Sequence, residues 1–307
     1  MISVPKKTLN NGAMIPVIGI GPGALVFNTW YSRKASLPKT LINKIHNKVS
    51  FEINKKKYIN SIVNALNVGY RLIDYSFSYG NGELVTQAIS KSNINRKDVF
   101  ITSRVSNSQQ YNHCVRDGFF KGLESMGLEY IDLYMFHWPV TDCYIDTYKE
   151  LESLYKEGYV KAIGVANCHQ HHLQKIFDEC EIIPAINQIE VHPLFSQKEL
   201  IAFCKKHSIE IESYTPLARN DDRLKSNKIL KALSLKYNKT IQQIILRWHI
   251  QLGLIPIPRS QNPLRQFQNI DVFDFELTKE EIDSIDSINI NSRLRYDPDN
   301  LDFTSIG

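Results

Sequence analysis

Ile131-Asp-Leu-Tyr-Met-Phe-His-Trp-Pro139, Val160-Lys-Ala-Ile-Gly-Val165 and Ala185-Ile-Asn187 are short apolar runs divided by two stretches of helical spacing, 146–157 and 170–179. Strand, helix, strand, helix, strand is the rhythm of a parallel sheet whose faces are covered by helices. The same rhythm extends both ways. Upstream lie Val17-Ile-Gly-Ile20, Arg71-Leu-Ile-Asp74 and Val99-Phe-Ile-Thr102; downstream lie Glu210-Ile-Glu-Ser-Tyr214 and Leu254-Ile-Pro-Ile257. Helical spacing recurs at 55–67, 82–90, 109–126, 197–207, 240–251 and 278–287. Eight strands are the number that closes an α/β (β/α)8 TIM barrel. An open doubly wound sheet is the alternative, and the strand count favours the barrel.

Asn11-Gly12 between apolar residues predicts an N-terminal β-hairpin ahead of the barrel. One stretch breaks the rhythm. Residues 23–50 show no clear strand or amphipathic helix, yet hold Phe27, Trp30 and Tyr31 among five Lys and Arg residues, Arg33, Lys34, Lys39, Lys44 and Lys48. This insertion follows the first strand, which puts it on the barrel face that carries active sites. The expected organisation is one barrel domain, 1–307, with an insertion at about 23–50.

A chain of 307 residues with 43% hydrophobic and 22% charged residues is long and apolar enough for a buried core. The formal charge of +5 is scattered, without the basic face that a nucleic-acid partner needs. Five cysteines, with no Cys-x-x-Cys pair, do not make a disulfide framework. Without a signal-peptide core or a membrane-length apolar run, the expected setting is the cytoplasm, with no membrane partner and a monomeric or weakly dimeric state.

Chemistry gathers at the strand ends. Asp74 ends a strand and Tyr79-Gly-Asn81 follows it; an acid there suits catalysis, and equally suits a helix N-cap. His137 and Trp138 follow the next but one. Gly164-Val-Ala-Asn167, Asn187-Gln-Ile-Glu-Val-His192 and Ser213-Tyr-Thr-Pro-Leu217 present amide, hydroxyl and aromatic groups that suit a nicotinamide ring. Ile257-Pro-Arg-Ser260, with Arg265 and Asn269, joins a strand end to a helix start, an arrangement that attracts anions. Cys168-His-Gln-His-His172 reads as solvated helix-start histidines; with no second ligand pair in the sequence, no metal is expected.

Taken in order, these motifs and Val272-Phe-Asp-Phe-Glu-Leu277 resemble the aldo-keto reductases over nearly the whole chain, the insertion excepted. The resemblance implies reduction of an aldehyde or ketone, a small-molecule carbonyl substrate, with NADP(H). It implies a catalytic set of Asp74, Tyr79 and His137 with Arg104 where the family has lysine. That exchange keeps the charge but replaces a compact ammonium by a bulky planar fork. The implied cofactor residues are Asn167 and Gln188 for the carboxamide, Tyr214 stacked on the ring, Leu217, and Arg259, Ser260, Arg265, Gln268 and Asn269 at the adenosine end. Ala166 stands where the family has serine, forfeiting a hydrogen bond worth about 1 kcal/mol. Pro22-Gly23 stands where it has Thr-Trp, and Trp30 is the candidate to refill that wall. A nicotinamide-binding protein without turnover, regulatory or non-redox in role, is the rival reading.

Overall fold

The computed structural model describes residues 1–24 and 37–303, with 37–51 described as helical backbone alone. Strands β1 (Lys6–Thr8) and β2 (Met14–Pro16) form the expected antiparallel hairpin, with Lys6 opposite Pro16 and Thr8 opposite Met14. Gly12 turns the chain at φ 86°, a conformation that only glycine adopts freely.

Helices and strands then alternate. In order they are α1 (Leu37–Val68), β3 (Leu72–Asp74), α2 (Gly82–Lys91), β4 (Phe100–Val105), α3 (Asn107–Tyr111), α4 (Val115–Met126) and β5 (Leu133–Phe136). Next come α5 (Tyr144–Lys156), β6 (Ile163–Ala166), α6 (Gln170–Glu179), β7 (Ile186–Glu190), α7 (Lys198–Lys206) and β8 (Glu210–Tyr214). The last are α8 (Asp222–Lys225), α9 (Lys228–Tyr237), α10 (Ile241–Gln251), β9 (Ile255–Pro256), α11 (Pro263–Ile270) and α12 (Lys279–Asp286). Strands β3 to β9 make one parallel sheet in chain order.

The eighth stave is the run after the hairpin, and it is held from both sides without becoming a regular strand. Ile20 donates its N–H to Leu72 O (2.9 Å), and its carbonyl oxygen accepts from Asp74 N–H (2.9 Å). On its other side Gly19 N–H donates to Pro256 O (3.0 Å) and Gly21 N–H to Pro258 O (3.4 Å). A Cβ on Gly19 would lie 2.5 Å from Leu72 Cγ, so only glycine permits this closure. The seam between first and last staves is thereby joined.

Two large apolar cores follow, beside a small cluster of Trp138, Val140 and Phe303. Inside the barrel, buried Leu72, Phe100, Leu133, Met135, Ile186 and Ile255 fill the lower layers, and Leu9 and Ile15 of the hairpin region plug the end beneath them. Outside, the helices press their apolar stripes onto the sheet, with Leu66, Phe119, Tyr148 and Trp248 fully buried.

Some boundaries depart from the sequence reading. The helix expected from residue 55 begins at Leu37, so the latter half of the 23–50 stretch is helical. Pro38 is tolerated in a first turn, and neither Gly nor Pro follows until Gly69; Lys and Asn blur the apolar spacing that would have marked the helix. The expected helix 109–126 is two helices, because His113 takes φ 47° between them and Ser106 and Gln109 form a capping box that starts the first. Helix α9 was missed; its N-cap is Asn227, which accepts from Ile229 N–H at 2.9 Å. Phe27, Trp30 and Tyr31 lie outside the described residues. No helix among the described residues is long and apolar enough to cross a membrane.

Candidate active site

Side chains alternate along a strand, so residues two apart share a face. This places Asp74 above Leu72, Thr102 and Arg104 above Phe100, Gln188 above Ile186, and Glu212 on the inner face of β8. Parallel register sets Asp74 opposite Thr102 and Gln188 opposite Glu212. The apolar plug therefore ends in a polar layer at the carboxyl ends of the strands.

That layer has one cation and two carboxyl groups. Arg104, 5% exposed, donates from Nη2 to Asp74 Oδ1. Thr102 Oγ1 and Gln188 Nε2 donate to the same oxygen at 2.9 and 3.1 Å. Gln188 Nε2 also reaches Glu212 Oε1 at 3.0 Å. Burial works against the charge on Arg104, but Asp74, Tyr79 and Glu212 outweigh it and raise its pKa above the usual value. Burial and the neighbouring Asp74 push the Glu212 carboxyl up to about 8, against the opposing pull of Arg104 and Gln188. Burial thus favours the protonated form of Glu212, whose buried Oε2 has no hydrogen-bond partner among the described residues. Asp74 is the member paired with Arg104, and it does not cap a helix.

Around the mouth stand the other expected residues. Tyr79 ends the short 3-10 turn Phe77–Tyr79, closed by Gly80 at φ 66°, and its ring packs edge-on to Tyr75. His137 follows β5, and burial, then Arg104 and Arg295, lower its pKa to about 3, so it is a neutral imidazole. Asn167, at φ 59°, donates from Nδ2 to His137 O (2.9 Å) and accepts from Tyr214 Oη (2.7 Å). Gly21 lies over this layer, where a Cβ would meet Ile257 O at 3.7 Å and Asp74 Oδ2 at 3.9 Å.

The adenosine-end candidates surround the start of α11. Asn262 caps that helix by accepting from Arg265 N–H (3.0 Å), and Arg259 and Arg265 are exposed beside it. Asn269 is buried, whereas Ser260 and Gln268 are half-buried; Leu217, in the loop after β8, is half-buried too. Arg259 lies across Gly23, where φ is 69° and a Cβ would come within 2.8 Å of the guanidinium carbon.

Sequence reasoning missed Thr102 and Glu212. The available signal was an acid on the inward face of Glu210-Ile-Glu-Ser-Tyr214, a costly place for a charge unless it serves a partner. The histidines after Asn167 also differ from expectation. His172 is buried and not solvated, and Asp299, from the segment beyond α12, lies among all three rings.

Residues 45–290 match the sequence model of the Aldo/keto reductase family. This chain belongs to the aldo/keto reductase family. Glyoxal reductase of Bacillus subtilis is 42% identical over 81% of this chain and 90% of its own length. Among solved structures, an aldo-keto reductase enzyme from a Medee basin deep-sea metagenome library superposes with TM-score 0.85 at 36% identity, covering 97% of this chain and all of that one (100%). The Bombyx mori aldo-keto reductase in complex with NADP gives TM-score 0.81 at 30% identity, covering 97% of each chain. The chain is a carbonyl-reducing oxidoreductase of this family.

Proposed function

We propose that this aldo/keto reductase reduces a small aldehyde or ketone, of the size of a simple dicarbonyl, to the alcohol with NADPH. The observation that carries the reading is the buried Arg104–Asp74 pair beside Tyr79 and a neutral His137. A nicotinamide dinucleotide fits the donor set. Gln188 commits its amide nitrogen to two carboxyl groups and keeps Oε1 for a carboxamide N–H2. Asn167 offers the second amide. Arg259 and Arg265 at the start of α11 suit phosphate groups, the 2′-phosphate included. When bound, NADPH supplies hydride to the carbonyl carbon.

The protein's own residues do the rest. Tyr79 Oη gives its proton to the carbonyl oxygen. A free tyrosine titrates near 10, and the permanent cation of Arg104 stabilises the phenolate left behind. Asp74 holds that cation in place. His137, neutral throughout the physiological range, donates a hydrogen bond that orients the same oxygen without competing as an acid. Five free cysteines accord with a reducing cytoplasm.

Oxidation of NADPH against a panel of aldehydes, ketones and dicarbonyls tests this. Turnover is expected with at least one small carbonyl, abolished in Tyr79→Phe with NADPH affinity retained. A chain inert across the panel, or a Tyr79→Phe variant as active as the parent, overturns the reading.

A further inference from the structure

Three histidines at the start of α6 and one aspartate from the far end of the chain converge on a single point, apart from the residues assigned above to hydride and proton transfer. His169 Nδ1 lies 2.8 Å from Asp299 Oδ2, His171 Nε2 3.2 Å from Oδ1, and His172 Nε2 3.7 Å from Oδ1. All four ligand atoms lie within 4.8 Å of one another. A tetrahedral ion with bonds of about 2.0–2.1 Å separates its ligands by roughly 3.3 Å, so small side-chain adjustments suffice.

We propose that His169 Nδ1, His171 Nε2 and the Asp299 carboxylate bind one divalent transition-metal ion, of which Zn2+ is the representative. Imidazole nitrogens with one carboxylate select such an ion over Mg2+ or Ca2+, which take oxygen ligands. His172 has a different part. Its Nδ1 accepts His169 N–H at 3.1 Å, and its ring is buried edge-on against Tyr144. Its proton therefore sits on Nε2, facing Asp299 at 3.7 Å, from where a small shift would let it hold the carboxylate from behind, as outer hydrogen bonds do around metal ligands. The fourth coordination position falls to water, on the side where His171 is 63% exposed.

Two costs accompany binding. The positive end of the α6 dipole opposes a cation, and the Asp299 charge offsets it. Arg293 Nη2 stands 3.3 Å from His169 Nε2, and must yield when that nitrogen takes the proton that Nδ1 gives up. Asp297, 3.7 Å away, is ready to receive it.

The ion would staple a strap. Leu294 and Arg295 donate their N–H groups to buried Glu190 (2.8 and 2.9 Å), and Tyr296 and Phe303 both pack on Trp138, the neighbour of His137. Asp299 lies between those two anchors in sequence. The bound metal holds this strap against the Trp138 wall.

The test uses the full chain without a polyhistidine tag, stripped with chelator and titrated with Zn2+ against a competing chromophoric chelator. Co2+ absorption reports the geometry. One equivalent should bind saturably, and His171→Ala or Asp299→Asn should each weaken it at least tenfold. His172→Gln, acting from behind, should weaken it less than either. Zn2+ should raise the melting temperature of the parent protein and of a His113→Ala control, but not of the His171→Ala/Asp299→Asn double variant. Absence of a one-equivalent site, or undiminished binding in the double variant, overturns the proposal. Neither result bears on turnover, which Tyr79→Phe tests separately.

Discussion

The amide nitrogen of Gln188 bridges two carboxyl groups, Asp74 at 3.1 Å and Glu212 at 3.0 Å, so the orientation of this side chain is set by the barrel interior before any ligand arrives. An amide free to turn can offer either N–H2 or oxygen; this one can offer only oxygen.

Glu212→Leu removes one of the two acceptors and keeps the volume apolar. NADPH should then bind about tenfold more weakly, the value of one hydrogen bond of roughly 1.4 kcal/mol. Turnover at saturating cofactor should change less than the dissociation constant. Fluorescence titration beside steady-state rates separates the two, and an unchanged dissociation constant would show that Gln188 needs no such support.

The proton on Glu212 has a signature in stability. Its pKa is raised from 4.5 in a free chain to about 8 in the fold, so the native state binds this proton more tightly. That contribution is complete below about 4.5 and is lost as pH climbs through 8. Glu212→Gln imitates the protonated form. Urea midpoints from pH 5 to 9 should fall less steeply for it than for the parent, by at least about 1 kcal/mol, the equivalent of one pKa unit. Parallel curves would mean that Glu212 is ionised in the fold.

Arg104 is a fork in a position that suits a point charge. Arg104→Lys should preserve NADPH affinity and raise turnover on small aldehydes several-fold, because the ammonium can sit closer to Tyr79 Oη. A tenfold fall would show instead that the guanidinium fits this enzyme's own substrate. Arg104→Met leaves Asp74 buried without a counter-charge and should cost about 3 kcal/mol of stability by chemical unfolding.

At the other end of the cofactor cleft, Arg259→Ala should weaken NADPH at least tenfold while NADH changes little, since a charge-assisted hydrogen bond contributes about 1.5–3 kcal/mol. Gly23→Ala should reproduce part of that loss with the arginine still present, because its Cβ would displace the guanidinium and its φ of 69° would be strained. Equal losses for both cofactors would separate Arg259 from the 2′-phosphate.

The staves and most helices were legible because their apolar spacing is clean, and so were the strand-end residues, since the end of a strand is visible in sequence. What escaped notice depends on distance along the chain. Glu212 matters through Asp74 and Gln188, which belong to other strands, and Asp299 meets His169 across nearly half the sequence. The N-terminal part of α1 was hidden for a different reason: its Lys and Asn residues dilute the apolar stripe on which recognition of a helix rests.

The seam of the barrel has a consequence for how this chain acquires its structure. Gly19 must find Pro256, and Gly21 must find Pro258, across most of the sequence. Such distant pairings are slow to form, because a long loop must close before they repay its entropy. While the chain is being synthesised, β3 can pair with β4 and each later strand with its predecessor, but the ring stays open until β9 emerges. Until then the growing sheet carries an unsatisfied edge, the feature that invites intermolecular pairing. The vulnerable interval of this protein's life is therefore the part of its synthesis before β9 emerges, when Gly19 and Gly21 wait for Pro256 and Pro258.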